Sequence, residues 1–356
     1  MLRPSTSLRN RPKFVDSSNP GPGAHAIVSP TVAKKAEPKK ARSLEDFIDS
    51  RDYQGAVTFL KFEKGSGQSR IAHLDAWLAY AYVHSGDFEE ACKIYNEMLL
   101  ADPTNADFLV NKAICLYGMA NFNEALQVAQ TAQCNSNLKN RLIMHLASKV
   151  GDEQLMMYHM KMLDQGDPAD QMSIAGLHFL RSNWSEAHRM YKMLVESDEK
   201  KYAALYVYMA MCQYSLEYFE IANQYLNAYT EQTNKRMDAG SRASRDPYAV
   251  DSIIVANLYG CITNMTYNGQ TADQELKKRL VSHNFDQIVK SHDILRHNKH
   301  VFSEGAGAAL NDWKDLVAVL PEAKWNVCIH HLRAERWLEA YQTLQTIDGT
   351  NFVLDK

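Results

Sequence analysis

One pattern recurs along this 356-residue chain: an aromatic residue, two variable residues, then alanine. It reads Tyr53-Gln-Gly-Ala56, Phe88-Glu-Glu-Ala91, Phe122-Asn-Glu-Ala125, Trp184-Ser-Glu-Ala187, Phe219-Glu-Ile-Ala222 and Trp337-Leu-Glu-Ala340. The alanines are spaced by 35, 34, 62, 35 and 118 residues, which fits a unit of 34 that is shortened by six at one place and lengthened by sixteen at another. A second small residue stands twelve positions earlier, as in Ala79/Ala91, Ala113/Ala125, Ala175/Ala187, Ala210/Ala222, Gly260/Ala272 and Cys328/Ala340, with Leu44/Ala56 and Ile294/Ala306 as looser members. Two antiparallel helices of ~13 residues, each ~20 Å long, bring such a pair together at their crossing. Turn formers precede the aromatics at Arg51-Asp52, Gly86-Asp87, Ala120-Asn121 and Ser182-Asn183, and Asp102-Pro103 falls where one unit ends.

A 34-residue helix-turn-helix unit resembles the tetratricopeptide repeat. Its register sets units at 37–71, 72–105, 106–139, 140–167, 168–202, 203–236, 253–286, 287–320 and 321–354. The expected fold is therefore all-α, an α-solenoid over 43–354 in which each unit packs on its neighbours. Ser43-Leu-Glu-Asp should cap its first helix, with an acid in the opening turn. Two register breaks stand out. The unit at 140–167 is short and rich in methionine (Met156, Met157, Met160, Met162), which reads as gap filling more readily than as an adaptable binding face. Asn234 to Pro247 adds a polar, basic stretch expected to be a surface loop.

Composition separates a tail from this body. Six of ten prolines lie in the first 43 residues among Ser, Thr, Gly and Lys, and that stretch is net +7 while the whole chain is −3. Residues 1–42 are expected to form a disordered basic extension, since they offer too little apolar surface to offset ordering entropy. The six cysteines are scattered without a Cys-x-x-Cys pair, which points to a reducing compartment. No apolar run reaches the ~18 to 20 residues of a membrane span, so no membrane insertion is expected.

Gly305-Ala-Gly-Ala-Ala lacks the Lys-Ser/Thr of a phosphate loop, and His292, His297 and His300, or His330 beside His331, lack the spacing of a zinc site. The net-acidic body and helix-spaced tyrosines argue against nucleic acid. The sequence therefore predicts no enzyme, no cofactor and no metal. A protein ligand remains, held on the concave surface that solenoids present from the first helix of each pair. Candidate partner-binding residues on that face are Tyr80, His84, Tyr117, Tyr214, Asn257, Asn264, Asn298 and Arg333.

Several stretches are more specific than the repeat. They are Asn140-Arg-Leu-Ile-Met-His-Leu-Ala-Ser-Lys149 with Gly151-Asp-Glu153; Asp170-Gln-Met-Ser-Ile-Ala175 with Arg181-Ser-Asn-Trp184; Leu295-Arg-His-Asn298 with Val301-Phe302; and Leu320-Pro-Glu-Ala-Lys-Trp-Asn326 with His331-Leu-Arg333. Together with the Ser43 opening and the shortened unit, they resemble the tetratricopeptide-repeat subunits of intraflagellar transport complex B, the intraflagellar transport protein 56 family, over about residues 43 to 350. The long tail, the 234–247 insertion and the end at Lys356 depart from that family. The resemblance implies a non-catalytic scaffold or adaptor that docks on other complex B subunits and supports transport of axonemal, motility-related cargo. It also implies a place in the cilium or flagellum and basal body, with a cytoplasmic pool. A cytosolic co-chaperone adaptor is the alternative, for which Asn111 fits a peptide clamp but Ala76 and Tyr80 stand where Lys and Asn are needed. A helical regulatory part of a larger enzyme is a third reading.

Overall fold

A computed structural model describes residues 42–67, 71–199, 201–238, 250–280, 285–302, 315–317 and 320–347. The tail before Arg42 and most of the insertion therefore lie outside the described residues, as do Ala306 and the stretch around Gly305.

The described residues form helices arranged as successive pairs. They are α1 (Leu44–Asp49) with α2 (Tyr53–Ser66), α3 (Leu74–Ser85) with α4 (Phe88–Ala101), α5 (Ala106–Gly118) with α6 (Phe122–Thr131), and α7 (Asn137–Val150) with α8 (Glu153–Lys161). Next come α9 (Pro168–Leu180) with α10 (Trp184–Ser197), α11 (Leu205–Ser215) with α12 (Phe219–Asp238), and α13 (Ser252–Thr266) with α14 (Gly269–Arg279). The chain then runs through α15 (Phe285–Ser291) and α16 (Asp293–Phe302) to a last pair, α17 (Pro321–Arg333) with α18 (Trp337–Gln345). Helix α12 continues to Asp238, so the insertion expected as loop from Asn234 begins as helix.

The pairing follows from small residues at the crossings. Ala79 and Ala91, Ala113 and Ala125, Ala175 and Ala187, and Ala210 and Ala222 are all fully buried. At the last pair the Cys328 thiol reaches the Ala340 carbonyl at 3.5 Å. Side chains this small let two helix backbones approach closely.

The turn inside each pair is built the same way. A residue in the left-handed region stands two positions before the aromatic: Arg51, Gly86, Ala120, Ser182, Glu217 and Glu335, with Gly151 at the matching place in the shortened unit. In all seven turns the next residue's N–H donates to the carbonyl five residues back, from Asp52 to Phe47, Asp87 to Tyr82, and onward to Arg336 to His331, each at 2.9 Å. This is a Schellman closure, which satisfies carbonyls left over at the helix end. Only two of the seven left-handed positions are glycine. Ser43 opens α1 with a reciprocal capping box, its side chain accepting from the Asp46 N–H while the Asp46 carboxylate accepts from the Ser43 N–H at 2.8 Å.

Between most pairs the second helix packs on the next first helix, as α4 does on α5 and α10 on α11, while α9 packs on α7. First helices also touch one another, α5 with α7, α7 with α9, α11 with α13 and α13 with α16, which makes them the inner layer. The core is a succession of clusters shared by neighbouring units, as expected of a solenoid. Helix α8 is short, and α9 seats on α7 through Met144, Ala147, Met156, Leu163 and Leu177. Met156 of the methionine-rich unit is thus core, whereas Met157 and Met162 are exposed.

Candidate functional site

Four of the eight nominated inner-face residues, Tyr80 with His84 and Asn257 with Asn298, fall into two separate constellations. The first is aromatic and lies on α2 and α3. The Tyr80 ring sits 4.2 Å from His84 and 5.7 Å from Trp77, while Tyr53 stacks on His84 at 4.8 Å. Trp77 keeps 40% and Tyr80 36% of its surface exposed, so the cluster forms a shelf open to solvent. Burial, then the nearby Arg51 charge, holds the His84 imidazole below its ordinary pKa, which favours the neutral ring. Burial likewise raises the Tyr80 phenol, with Tyr53 adding to the effect. Tyr117 joins no shared site with these: it is half-buried against Phe122, at 5.5 Å.

The second constellation is polar and joins the last units. Asn298 on α16 donates to Asn257 on α13 at 2.8 Å and accepts on its carbonyl side from the His297 ring at 2.9 Å. His297 in turn meets Asn326 on α17 at 2.7 Å. Asn257, Asn298, His297 and Asn326 therefore form a hydrogen-bonded ladder across three first helices. Asn264 is half-buried on α13, and Arg333 is exposed at the end of α17. Tyr214 packs on Phe219 at 5.6 Å within the α11–α13 core, and burial pushes its phenol up to about 12.

A third constellation involves residues the sequence singled out for resemblance and not for binding. Asp170 is wholly buried and accepts from Asn137 at 2.7 Å, Arg141 at 2.5 Å and the Asp164 backbone N–H at 2.9 Å. Beside it the His145 ring meets the Ser173 hydroxyl at 2.9 Å, and Asn140 meets the His159 ring at 2.9 Å. Arg181, the C-cap of α9, reaches back to Glu153 on α8 at 2.8 Å. This seam locks α7, α8 and α9 together where the shortened unit would otherwise leave a thin junction. A buried carboxylate is tolerated because its oxygens are fully used by a cation and by hydrogen bonds.

Burial also decides the cysteine chemistry. The Cys115, Cys212 and Cys261 thiols are each pushed up to about 12, so at neutral pH they are protonated and behave as small hydrophobes. Among the described residues no group of three His, Cys, Asp or Glu side chains gathers as metal ligands, and no helix is long and apolar enough to cross a membrane.

Stacked helix pairs with buried small residues at most of the described crossings and a repeated Schellman turn define an α-solenoid of tetratricopeptide type. Within that class, residues 75–352 match the profile of intraflagellar transport protein 56, and the chain belongs to that family. A curated relative, the intraflagellar transport protein 56 homolog of Caenorhabditis elegans, is 24% identical over 336 residues, covering 90% of this chain and 55% of its own length. A tetratricopeptide repeat protein 30 homolog of Caenorhabditis briggsae is 23% identical over 171 residues, 47% of this chain and 25% of that protein. The chain spans about half the length of the first relative and a quarter of the second. Among solved structures, a tetratricopeptide repeat protein from Parabacteroides merdae covers 72% of this chain and 95% of its own at 16% identity, with a TM-score of 0.45. A human IFIT1 dimer covers 85% of this chain and 80% of its own at 12% identity, with a TM-score of 0.46.

Proposed function

We propose that this protein is a non-catalytic scaffold or adaptor subunit of intraflagellar transport complex B, docking on other complex subunits and supporting transport of axonemal, motility-related cargo during cilium or flagellum assembly. The observation that carries the reading is the family match over residues 75–352. The described surface offers it shelves of exposed side chains on successive units, which suits binding spread over several repeats. Docking is assigned to the inner face of the first units, where Tyr80 and His84 stand beside Trp77, with Tyr117 one unit further on. The protein would work in the cilium or flagellum and at the basal body, and exchange with a cytoplasmic pool.

Proximity labelling of the tagged protein in ciliated cells tests this directly. Strong labelling of complex B subunits is the expected outcome; labelling dominated by chaperones would replace the reading with a co-chaperone adaptor. Simultaneous Ala substitution of Tyr80, His84 and Tyr117 should weaken co-precipitation of complex B subunits while helicity is retained. Undiminished co-precipitation would move the docking site away from the first units.

A further inference from the structure

Beside the aromatic shelf, the first helices form an open groove of about 490 Å³ lined by Leu44, Ile48, Phe59, Ile71 and Trp77, with Glu45 and Asp49 also among its lining residues. That volume lies within the ~300 to 1,000 Å³ range of pockets that hold a ligand. Glu45 and Asp49 are exposed, and neither pairs with a cation among the described residues. The groove is thus apolar inside and negative at its edge.

The chain carries a matching segment of its own. Residues 26–35, Ala-Ile-Val-Ser-Pro-Thr-Val-Ala-Lys-Lys, place Ile27, Val28, Pro30 and Val32 directly before Lys34 and Lys35. They belong to a 41-residue stretch with eight Lys or Arg against two acids, and it enters the fold at Ser43, which itself lines the groove. The seven residues between Lys35 and Ser43 can span at most about 25 Å, so the segment is tethered within reach of the groove. A short tether gives effective concentrations on the order of millimolar, enough to populate a contact that would be weak between separate molecules. Pro30 lowers the ordering cost further, because it restricts its own backbone and biases Ser29 toward an extended form.

We propose that residues 26–35 fold back into the groove formed by α1, α2 and the start of α3, with Ile27 and Val28 against Trp77 and Phe59 and with Lys34 and Lys35 beside Glu45 and Asp49. The tail then acts as an intramolecular cover for the exposed indole at the solenoid's first unit. The assignment stands independently of the transport reading.

Hydroxyl-radical footprinting of the full chain, read residue by residue by mass spectrometry, tests it. Trp77 oxidation should rise roughly threefold or more in the Ile27→Ser/Val28→Ser variant and should rise in Lys34→Glu/Lys35→Glu, while oxidation of the half-buried Trp184 on α10 stays constant as the internal control. High salt should raise Trp77 oxidation in the unsubstituted chain and leave the lysine variant unchanged. Equal Trp77 rates in the native chain and the Ile27→Ser/Val28→Ser variant would overturn the proposal. Protection that disappears on dilution would overturn it too, by showing that the occupant is a second copy of the chain.

Discussion

The Phe302 backbone occupies the space that a side chain at Gly269 would need. Gly269 stands where the other units carry their aromatic, three residues before the crossing alanine, Ala272. A Cβ built on Gly269 would lie 2.7 Å from the Phe302 carbonyl carbon, and one on Gly260 would lie 2.9 Å from the Phe302 ring. The Phe302 backbone thus takes the space beside Gly269 while its ring packs on Gly260, and Phe302 is buried against α13 and α14.

Gly269→Ala should accordingly destabilise the protein, since the clash is with backbone and cannot be relieved by rotating a side chain. A loss of about 1 to 3 kcal/mol is expected, with faster amide exchange concentrated in α13, α14 and α16. Urea unfolding with exchange mass spectrometry provides the check; an unchanged midpoint would mean that α16 does not seat on Gly269.

The Schellman turns allow a reciprocal test. Gly86→Ala puts a Cβ at φ 82 and should cost about 1 kcal/mol, whereas Ala120→Gly removes one at φ 63 and should gain several tenths. Nothing crowds a Cβ at Gly86, so any loss there reports backbone conformation alone. Thermal melts of the two variants should move in opposite directions.

His145 should make stability depend on pH. Burial, with Lys149 nearby, lowers its pKa from 6.5 to about 4, and its Nδ1 is buried without a partner. The folded state therefore prefers the neutral ring. Its contribution is fully present above pH 6.5 and is lost as pH falls toward 4, because the unfolded chain takes up the proton first. Between pH 7.5 and 4.5 the native protein should lose about 2 to 3 kcal/mol more than a His145→Gln variant, in which Gln can keep the hydrogen bond to Ser173. Parallel stability profiles for the two proteins would show that His145 titrates normally.

The last helix pair should drive self-association. Leu344 stands in register with Tyr95, Ala129, Tyr191, Leu226 and Leu276, all of them buried, yet it is 45% exposed. Trp337 is 65% exposed, and Leu338 and Tyr341 lie open beside it. An apolar face of this extent favours association. Sedimentation at tens of micromolar should show oligomers that Trp337→Glu/Leu344→Glu abolishes; a monomer throughout would mean that this face is already covered.

The amino-acid sequence by itself determined the repeat. Its period, the crossing pairs from Ala79/Ala91 to Cys328/Ala340 and the turn positions were all legible, because helix packing demands small residues at fixed spacing and tolerates little else there. The family was legible too, through the stretches at Asn140–Lys149, Asp170–Ala175, Leu295–Asn298 and Leu320–Asn326. What those stretches do was decided only by tertiary structure. Asp170 met Arg141 and Asn137 from another helix, and Asn298 met Asn257 forty-one residues away, so residues that look like surface polars became seams between units. The same holds for Asn257 and Asn298 as nominated partner contacts, whose side chains are engaged with each other. A single sequence records that a position is polar, but whether its hydrogen bonds go to water, to a partner or to the next repeat depends on which helix the fold lays against it.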